Sequence, residues 1–308
     1  MDVTLKQLRA LAATVEAGTI VGAAERLHVT PPAVSQQLRL LERASGLPLI
    51  ERTADGARAT DAGRELIEAS ARIDAELSRC SRAIDAIRSG TGGRVVFAAV
   101  STAKYVAPII LAAFWAEHPD VEVQLAIGNR TETIELLRSG DVDLAMMGRP
   151  PADLDLVTER IAEHPHVIIA APDHPLVGRR DLAITELLDE RFMVREPGSG
   201  TRMLHDELFW PHDIEPPVGL EMSSNETIKQ AVIAGLGIAV ISAHTIAAEL
   251  DDRRLAVLDV SGLPAMRSWQ LLRRSDHQPL PTADAMWRFL ADRAAEFLPA
   301  APVSSRPR

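Results

Sequence analysis

GTIVGAAERLHVTPPAVSQQLRLLERASG, residues 18–46, decides how this chain folds at its start. Thr19 opens a short helix, Ile20 to Leu27, with Ala23, Ala24 and Leu27 inward. His28-Val29 makes a tight connection. Thr30 then caps a second helix with Pro31 at its first position, where the missing N–H costs nothing. Val34, Leu38 and Leu41 form its buried stripe, Ser35, Gln36 and Arg39 point away, and Gly46 stops it. Upstream, Thr4 caps a helix carrying Leu8, Leu11, Ala12 and Val15 at helical spacing, ended by Gly18. Downstream, Leu47 to Glu51 and Ala57 to Thr60 read as two short strands, and Asp55-Gly56 suits the hairpin turn between them. Three helices and a small wing form a DNA-reading geometry in which the third helix enters the major groove.

The bulk properties limit what surrounds this head. The 308 residues are 46% hydrophobic and 25% charged, an ordinary globular composition with room for two domains or so. The single cysteine excludes an intramolecular disulfide. The opening MDVTLKQLRA has no apolar leader segment, and the longest apolar run, Ala231 to Ile241, is too short and too glycine-rich to cross a membrane, so a cytoplasmic protein is expected. A net charge of −10 suits nucleic acid poorly. Residues 1–64, however, hold eight Lys/Arg against seven Asp/Glu, which leaves −11 to the remainder.

From Asp61 to Arg88 runs one long helix. Leu66, Ile73, Cys80 and Ile87 recur every seventh residue, with Ser70, Leu77 and Ile84 between them. That is a coiled-coil seam, to be covered by the same helix of a second copy or by the chain's own body. On the seam, Cys80 reads as a small packing residue rather than a redox sensor. After the hinge Ser89-Gly90-Thr91-Gly92-Gly93, strands and helices alternate in the rhythm of a sheet covered on both faces. Expected are strand 95–100, helix 105–118, strand 121–127, helix 131–139 and strand 143–147. A second series follows, with strands 167–171, 192–194, 218–222 and 238–241, and helices 201–209 and 226–234. Strand 269–273 and helix 282–297 close the domain.

The residues now on the page resemble one family. Ala23-Ala24, Leu27, Thr30, Pro32 to Ser35, Gln37-Leu38, Leu41-Glu42, Gly46, Leu49, Arg52, Thr60 and Gly63 stand in the order of a LysR-type transcriptional regulator's head. The resemblance covers nearly the whole chain. It implies an all-α winged helix-turn-helix over 1–60, a dimerising linker helix and hinge over 61–90, and an effector-binding domain over 91–298. That domain would have the α/β periplasmic-binding-protein-like (type 2) fold, with subdomain I at about 94–163 plus 267–298 and subdomain II at about 164–266. Residues 299–308 would be a disordered tail. The stretches 100–105, 143–151 and 194–202 look like the CbbR branch, which implies activation of carbon-fixation (Calvin-cycle, RuBisCO) genes in response to a metabolite. Implied effectors are a sugar phosphate, phosphoenolpyruvate or a nicotinamide nucleotide, acting allosterically with no cofactor. Implied partners are promoter DNA, the chain itself as homodimer or homotetramer, and RNA polymerase. Three departures stand out: Pro31 where many family heads carry Gln, Ile50 where they carry an aromatic, and Thr19-Ile20-Val21-Gly22 at the second helix. Without that Gln, one adenine contact is lost.

Within this frame Pro32, Ser35 and Gln36 are the candidate base readers. Thr30, Arg39 and Arg52 are candidate phosphate contacts, with Arg52 or Arg58 on the wing able to reach the minor groove. In the sensor, ligands of an open α/β sheet sit at strand ends. Ser101, Thr102 and Lys104 follow the first strand, where a helix N-terminus would favour an anion. Asn129 and Arg130 follow the second strand, and Met147, Gly148 and Arg149 the third. Arg195, Ser199, Thr201, Arg202 and Asn225 come from the other subdomain. The five cations on these loops suit a phosphorylated effector. Ser101, Thr102, Arg149, Ser199, Thr201 and Arg202 are favoured most. His164-Pro165-His166 lacks a third ligand at metal spacing and reads as structural or surface, and Trp115, Trp287 and Phe289 read as core. An enzyme using Ser101 or Ser199 lacks a placed base. A small-molecule carrier is disfavoured by the intact head.

Overall fold

A computed structural model of the chain describes residues 3–53, 56–89, 93–210, 217–276 and 278–299. They fall into two compact units, one reaching Ser81 and the other starting at Arg82. In the first, α1 (Leu5–Ala17), α2 (Ile20–Arg26) and α3 (Pro31–Ser45) pack Leu8, Leu11, Ala23, Ala24, Val34, Leu38 and Leu41 into one core. Thr4 and Gln7 cap α1 reciprocally, at 3.4 and 2.8 Å. The hydroxyl of Thr19 accepts the Gly22 N–H at 3.0 Å at the start of α2. Thr30 differs. It sits at the cap position of α3, yet its hydroxyl makes no capping bond. Pro31 and Pro32 have no N–H to offer, and the Ala33 N–H already reaches the Thr30 carbonyl at 2.9 Å.

The wing strands lie nearer the turn than the sequence suggests. Its strands are β1 (Ile50–Thr53) and β2 (Gly56–Ala59), antiparallel with Thr53 opposite Gly56. Leu47 and Pro48 stay outside, since Pro48 cannot donate to a ladder. Ala54 and Asp55, expected in the turn, lie outside the described residues. The long helix α4 (Asp61–Ser89) starts by adding Leu66 and Ile67 to the head core, and an ion pair joins Arg9 to Asp74. Further along, the seam faces outward in the single chain: Ile73, Leu77, Cys80 and Ile84 are exposed, whereas Ser70 is buried. The side chain of Ile87 lies outside the described residues.

The second unit is a two-lobed α/β domain. Lobe I contains β3 (Arg94–Val100), α5 (Ala107–Glu117), β4 (Glu122–Gly128), α6 (Arg130–Ser139) and β5 (Leu144–Met147); β3 lies parallel to both β4 and β5. Next comes β6 (Leu156–Ala170), which leads into lobe II. Lobe II holds β7 (Phe192–Arg195), α7 (Gly200–Phe209), β8 (Val218–Met222), α8 (Asn225–Ile233), β9 (Ala239–Ser242), α9 (Ala247–Asp251) and β10 (Ala256–Val257). Then β11 (Ala265–Arg274) returns to lobe I, and α10 (Pro281–Arg293) packs on its core. Within β6, the stretch 156–166 pairs with β11, and 166–170 pairs with β9 and β10. Thus β6 and β11 belong to both lobes, and the expected subdomain boundary at 163/164 falls inside β6.

Three expectations are corrected here. The helix expected from Tyr105 is a 3-10 turn (Ser101–Tyr105) followed by α5, because Pro108 fits only the first turn of an α-helix. β6 begins eleven residues before the expected Val167; its first half exposes Thr158, Glu159 and Arg160 and carries no apolar alternation. Trp115 is 43% exposed rather than core, its indole N–H donating to the Val121 carbonyl at 3.0 Å, whereas Trp287 and Phe289 are buried. Among the described residues, no helix is long and apolar enough to cross a membrane.

Gly63 shows how closely α4 meets the wing. A Cβ there would stand 2.1 Å from the Leu49 carbonyl oxygen, and that oxygen already accepts the Thr60 N–H at 3.1 Å. Gly63→Ala is therefore expected to destabilise the head by about 1–3 kcal/mol. Thermal unfolding followed by circular dichroism checks this, and an unchanged midpoint would show that the contact relaxes freely.

Candidate functional site

On the head, the exposed face of α3 carries Pro32, Gln36, Arg39, Leu40 and Arg43 along one shallow groove. A second groove places Ser35, Arg39 and Glu42 opposite Thr19, Ile20 and Val21 and the wing residues Thr53 and Ala57. Ser35 is half-buried, and Thr30, at the start of the helix, is exposed. Five of the six expected DNA residues thus lie on or beside one face of α3. The side chain of the sixth, Arg52, lies outside the described residues. Arg43 was missed by the sequence reading, although its spacing of four from Arg39 and seven from Gln36 puts it on the same stripe.

In the sensor, a cleft between the lobes encloses about 630 Å³, open mouth included. Lobe I contributes Val100, Ser101, Thr102, Arg130, Met147, Gly148 and Arg149 to its wall. Lobe II contributes Ser199, Gly200, Thr201, Met203, Leu204 and Glu207, all from α7 and its cap. The floor comes from the shared strands, with His164 and His166 on β6, and Arg267 on β11 stands exposed at its edge. The helix N-terminus at this cleft is that of α7, where the Ser199 hydroxyl accepts the Thr201 N–H at 3.3 Å. It is not that of α5, which the 3-10 turn separates from Ser101.

Eight of the thirteen expected effector residues meet here: Ser101, Thr102, Arg130, Met147, Gly148, Arg149, Ser199 and Thr201. The other five do not line the cleft, and each has a local partner. Arg195 is buried, bound to Glu196 at 2.7 Å and to the Asn225 side-chain oxygen at 2.6 Å, so Asn225 is engaged as well. Arg202 binds Asp206 at 3.0 Å and Glu221 at 3.1 Å. Asn129 caps α6 reciprocally with Glu132, and Lys104 lies 5.1 Å above the Tyr105 ring. The sequence reading missed Arg267, Glu207, His164 and His166. The first two needed the long strand β11 and the cleft-facing side of α7 to be recognised.

Charge in the cleft is uneven. The Glu207 carboxylate pairs with Arg149 through Oε1 and with Arg267 through Oε2 at 2.6 Å. Among the described residues, Arg130 donates to carbonyls alone, of Arg149 at 3.1 Å and Pro150 at 3.5 Å. Burial, and then the charge of Arg149, lower the pKa of Arg130. The imidazoles add no charge at neutral pH. Burial pushes His166 down to about 4, and burial with the neighbouring His166 and His244 takes His164 well below its ordinary value. His164 stacks on Trp269 at 3.7 Å, its Nε2 lies 2.9 Å from the Ser242 hydroxyl, and its buried Nδ1 has no hydrogen-bond partner among the described residues. A side chain at Gly148 would stand 3.3 Å from that Nδ1. Three guanidinium groups therefore face one carboxylate.

A separate clamp also joins the lobes. Tyr105 of lobe I donates to Glu226 Oε2 at 3.1 Å, and Lys229 of lobe II bridges Glu226 at 2.9 Å and Glu249 at 2.6 Å. The hydrogen bond from Lys229 leads the effects that hold Glu226 down to about 2, and burial leads those that push Tyr105 up to about 12. Among the described residues, no cluster of three or more His, Cys, Asp or Glu side chains could hold a metal ion.

Comparison with known proteins matches two stretches of the chain to two family models. Residues 5–64 match the family described as bacterial regulatory helix-turn-helix protein, lysR family, and residues 88–295 match the LysR substrate binding domain. The HTH-type transcriptional regulator CbbR of Xanthobacter flavus is 47% identical over 97% of this chain and 90% of its own length. A RuBisCO operon transcriptional regulator of Allochromatium vinosum is 39% identical over 96% of this chain and 98% of its own. Among solved structures, the regulatory domain of Synechocystis PCC6803 CcmR in complex with 2-PG is 36% identical, with a TM-score of 0.63. The match covers 65% of this chain and 96% of that domain.

Acid should expose the neutral histidines. The unfolded chain binds a proton at each near pH 6.5, whereas folded His166 resists protonation down to about pH 4. Their contribution to stability is complete above pH 6.5 and is lost as pH falls toward 4. Thermal midpoints are expected to drop across that window, and less steeply in His166→Gln. Parallel profiles for the two proteins would remove His166 as the cause.

Proposed function

Since the chain belongs to the LysR family, and is a DNA-binding transcriptional regulator rather than an enzyme, we propose that it activates carbon-fixation (RuBisCO, Calvin-cycle) operons on binding a small phosphorylated metabolite between its sensor lobes. One observation carries the effector reading: Arg130, Arg149 and Arg267 converge on a cleft that also receives the N-terminus of α7. Guanidinium forks and helix N-termini both favour phosphate. The relatives named CbbR and RuBisCO operon regulator support the target genes, and the CcmR domain holding 2-PG supports the ligand class. Phosphoenolpyruvate, sugar phosphates and nicotinamide nucleotides share the required anionic group.

Residues 1–60 are the proposed DNA-reading head, 61–90 the dimerising linker and 91–298 the effector domain. Pro32, Ser35 and Gln36 read bases, and Thr30, Arg39 and Arg52 hold phosphates. The uncommitted hydroxyl of Thr30 supports its part. Exposed Ile73, Leu77 and Ile84 at seam spacing support pairing of α4 with its copy, in a homodimer or homotetramer. The regulator would work in the cytoplasm, beside its promoter and RNA polymerase.

Calorimetry with 2-PG, phosphoenolpyruvate and ribulose bisphosphate tests the cleft. Arg149→Ala is expected to weaken binding of the active compound at least tenfold, and Arg202→Ala to leave it unchanged. Equal affinity in wild type and Arg149→Ala would move the site elsewhere. On the DNA side, gel shifts with a RuBisCO-operon promoter fragment should show specific binding that Gln36→Ala reduces by about 1–3 kcal/mol at one base position without changing the salt slope. Uniform loss on all sequences would make Gln36 a phosphate contact. No specific binding by the wild type would overturn the assignment of target genes.

A further inference from the structure

The carboxylate of Glu207 occupies the place where an anionic effector would have to act. It lies on the cleft-facing side of α7, with Gly200, Met203 and Leu204 at helical spacing. It belongs to the last turn of that helix, where the helix dipole disfavours negative charge, so its position does not serve α7 itself. Its two oxygens are divided between Arg149, which follows β5 of lobe I, and Arg267 on the shared strand β11. Arg130, the third cation of the wall, makes no ion pair or hydrogen bond to a carboxylate among the described residues, although the charge of Asp153 acts on it.

We propose that Glu207 is a built-in counterion that holds Arg149 and Arg267 until an effector anion displaces it, and so sets the charge an effector must carry. This rests on the reading of the cleft as an anion site. With Glu207 in place, the three guanidinium groups still outnumber the one carboxylate paired with them by two, an excess that suits a phosphate dianion or a phosphate with a carboxylate. A simple monocarboxylate exchanges one carboxylate for another that is already tethered beside the same cations. A tethered group competes at a high effective concentration, so that exchange gains little. A phosphorylated ligand brings more charge than it displaces. Glu207 also joins lobe II to lobe I, so its displacement exchanges an internal tie for one made through the ligand. The exposure of Glu207 and Arg149, 41% and 62%, keeps this tie weak enough to give way.

The experiment compares wild type, Glu207→Gln and Glu207→Asp in the full chain, by calorimetry and thermal shift. The probes are phosphoenolpyruvate, 2-PG and, as monoanion, pyruvate. Glu207→Gln is expected to bind the phosphorylated probe about tenfold more tightly and to bring pyruvate into the measurable range, while its ligand-free midpoint falls. Glu207→Asp, too short to span both arginines, should fall between. Tighter binding with lower ligand-free stability is the signature of a displaced counterion; a purely structural role for Glu207 would weaken both together. Unchanged or weaker binding in Glu207→Gln, with wild type binding normally, overturns the counterion and leaves the anion cleft standing. Absence of binding to wild type and both variants overturns the anion cleft and the counterion with it.

Discussion

The sensor depends on the antiparallel pairing of β6 with β11. Their ladder runs from Ala265 opposite His166 to Arg274 opposite Leu156, with one register shift at Trp269/Gln270. Among the described residues, no other strand pair is shared so completely by the two lobes. At its centre the buried Trp269 indole donates to His244 at 3.1 Å while stacking on His164. Backbone hydrogen bonds fix the lobes to a common pair of strands, and flat ring contacts fill the space between those strands and lobe II. The cleft is what remains open above this pair, so its floor is set by the ladder and its walls by whichever loops each lobe turns toward it.

That origin accounts for the chemistry of the cleft. Residues on the floor are buried because both lobes cover them, and burial keeps His164 and His166 neutral. Charge is left to the rim, where Arg130, Arg149, Arg267 and Glu207 retain contact with water. A neutral floor beneath a cationic rim gives an anion direct charge pairing without requiring a buried cation, which would cost several kcal/mol to desolvate. The Tyr105–Glu226–Lys229 clamp keeps the lobes together by separate contacts. Stability of the domain therefore does not rest on the rim charges alone.

Much of the head was legible in sequence because its signals are local: caps, a double proline, a glycine stop and a helical stripe. Where those signals gave the wrong detail, the cause was also local. Pro48 delayed the start of the wing strand, and Pro32 removed the donor that Thr30 was expected to cap. In the sensor, the strand-end expectation picked out Ser101, Thr102, Arg130, Met147, Gly148, Arg149, Ser199 and Thr201, all of which line the cleft. The floor was not legible. The first half of β6 has exposed polar residues and is held as a strand by its ladder with β11, which no periodicity reports.

The loop cations differ in what they pair with. Arg195 and Arg202 find carboxylates one and four residues away, contacts that local chain geometry makes cheap in entropy. Arg149 and Arg267 are paired with Glu207 across 58 and 60 residues, and Arg130 reaches carbonyls 19 and 20 residues on. Proximity of an acid in sequence is not by itself the cause. Glu132 lies two residues from Arg130 and Asp153 four from Arg149, yet Glu132 is held in the α6 cap with Asn129 and Asp153 pairs with Arg138. Arg130 and Arg149 therefore reach the cleft because their nearest acids are engaged elsewhere, a competition that only the folded domain decides.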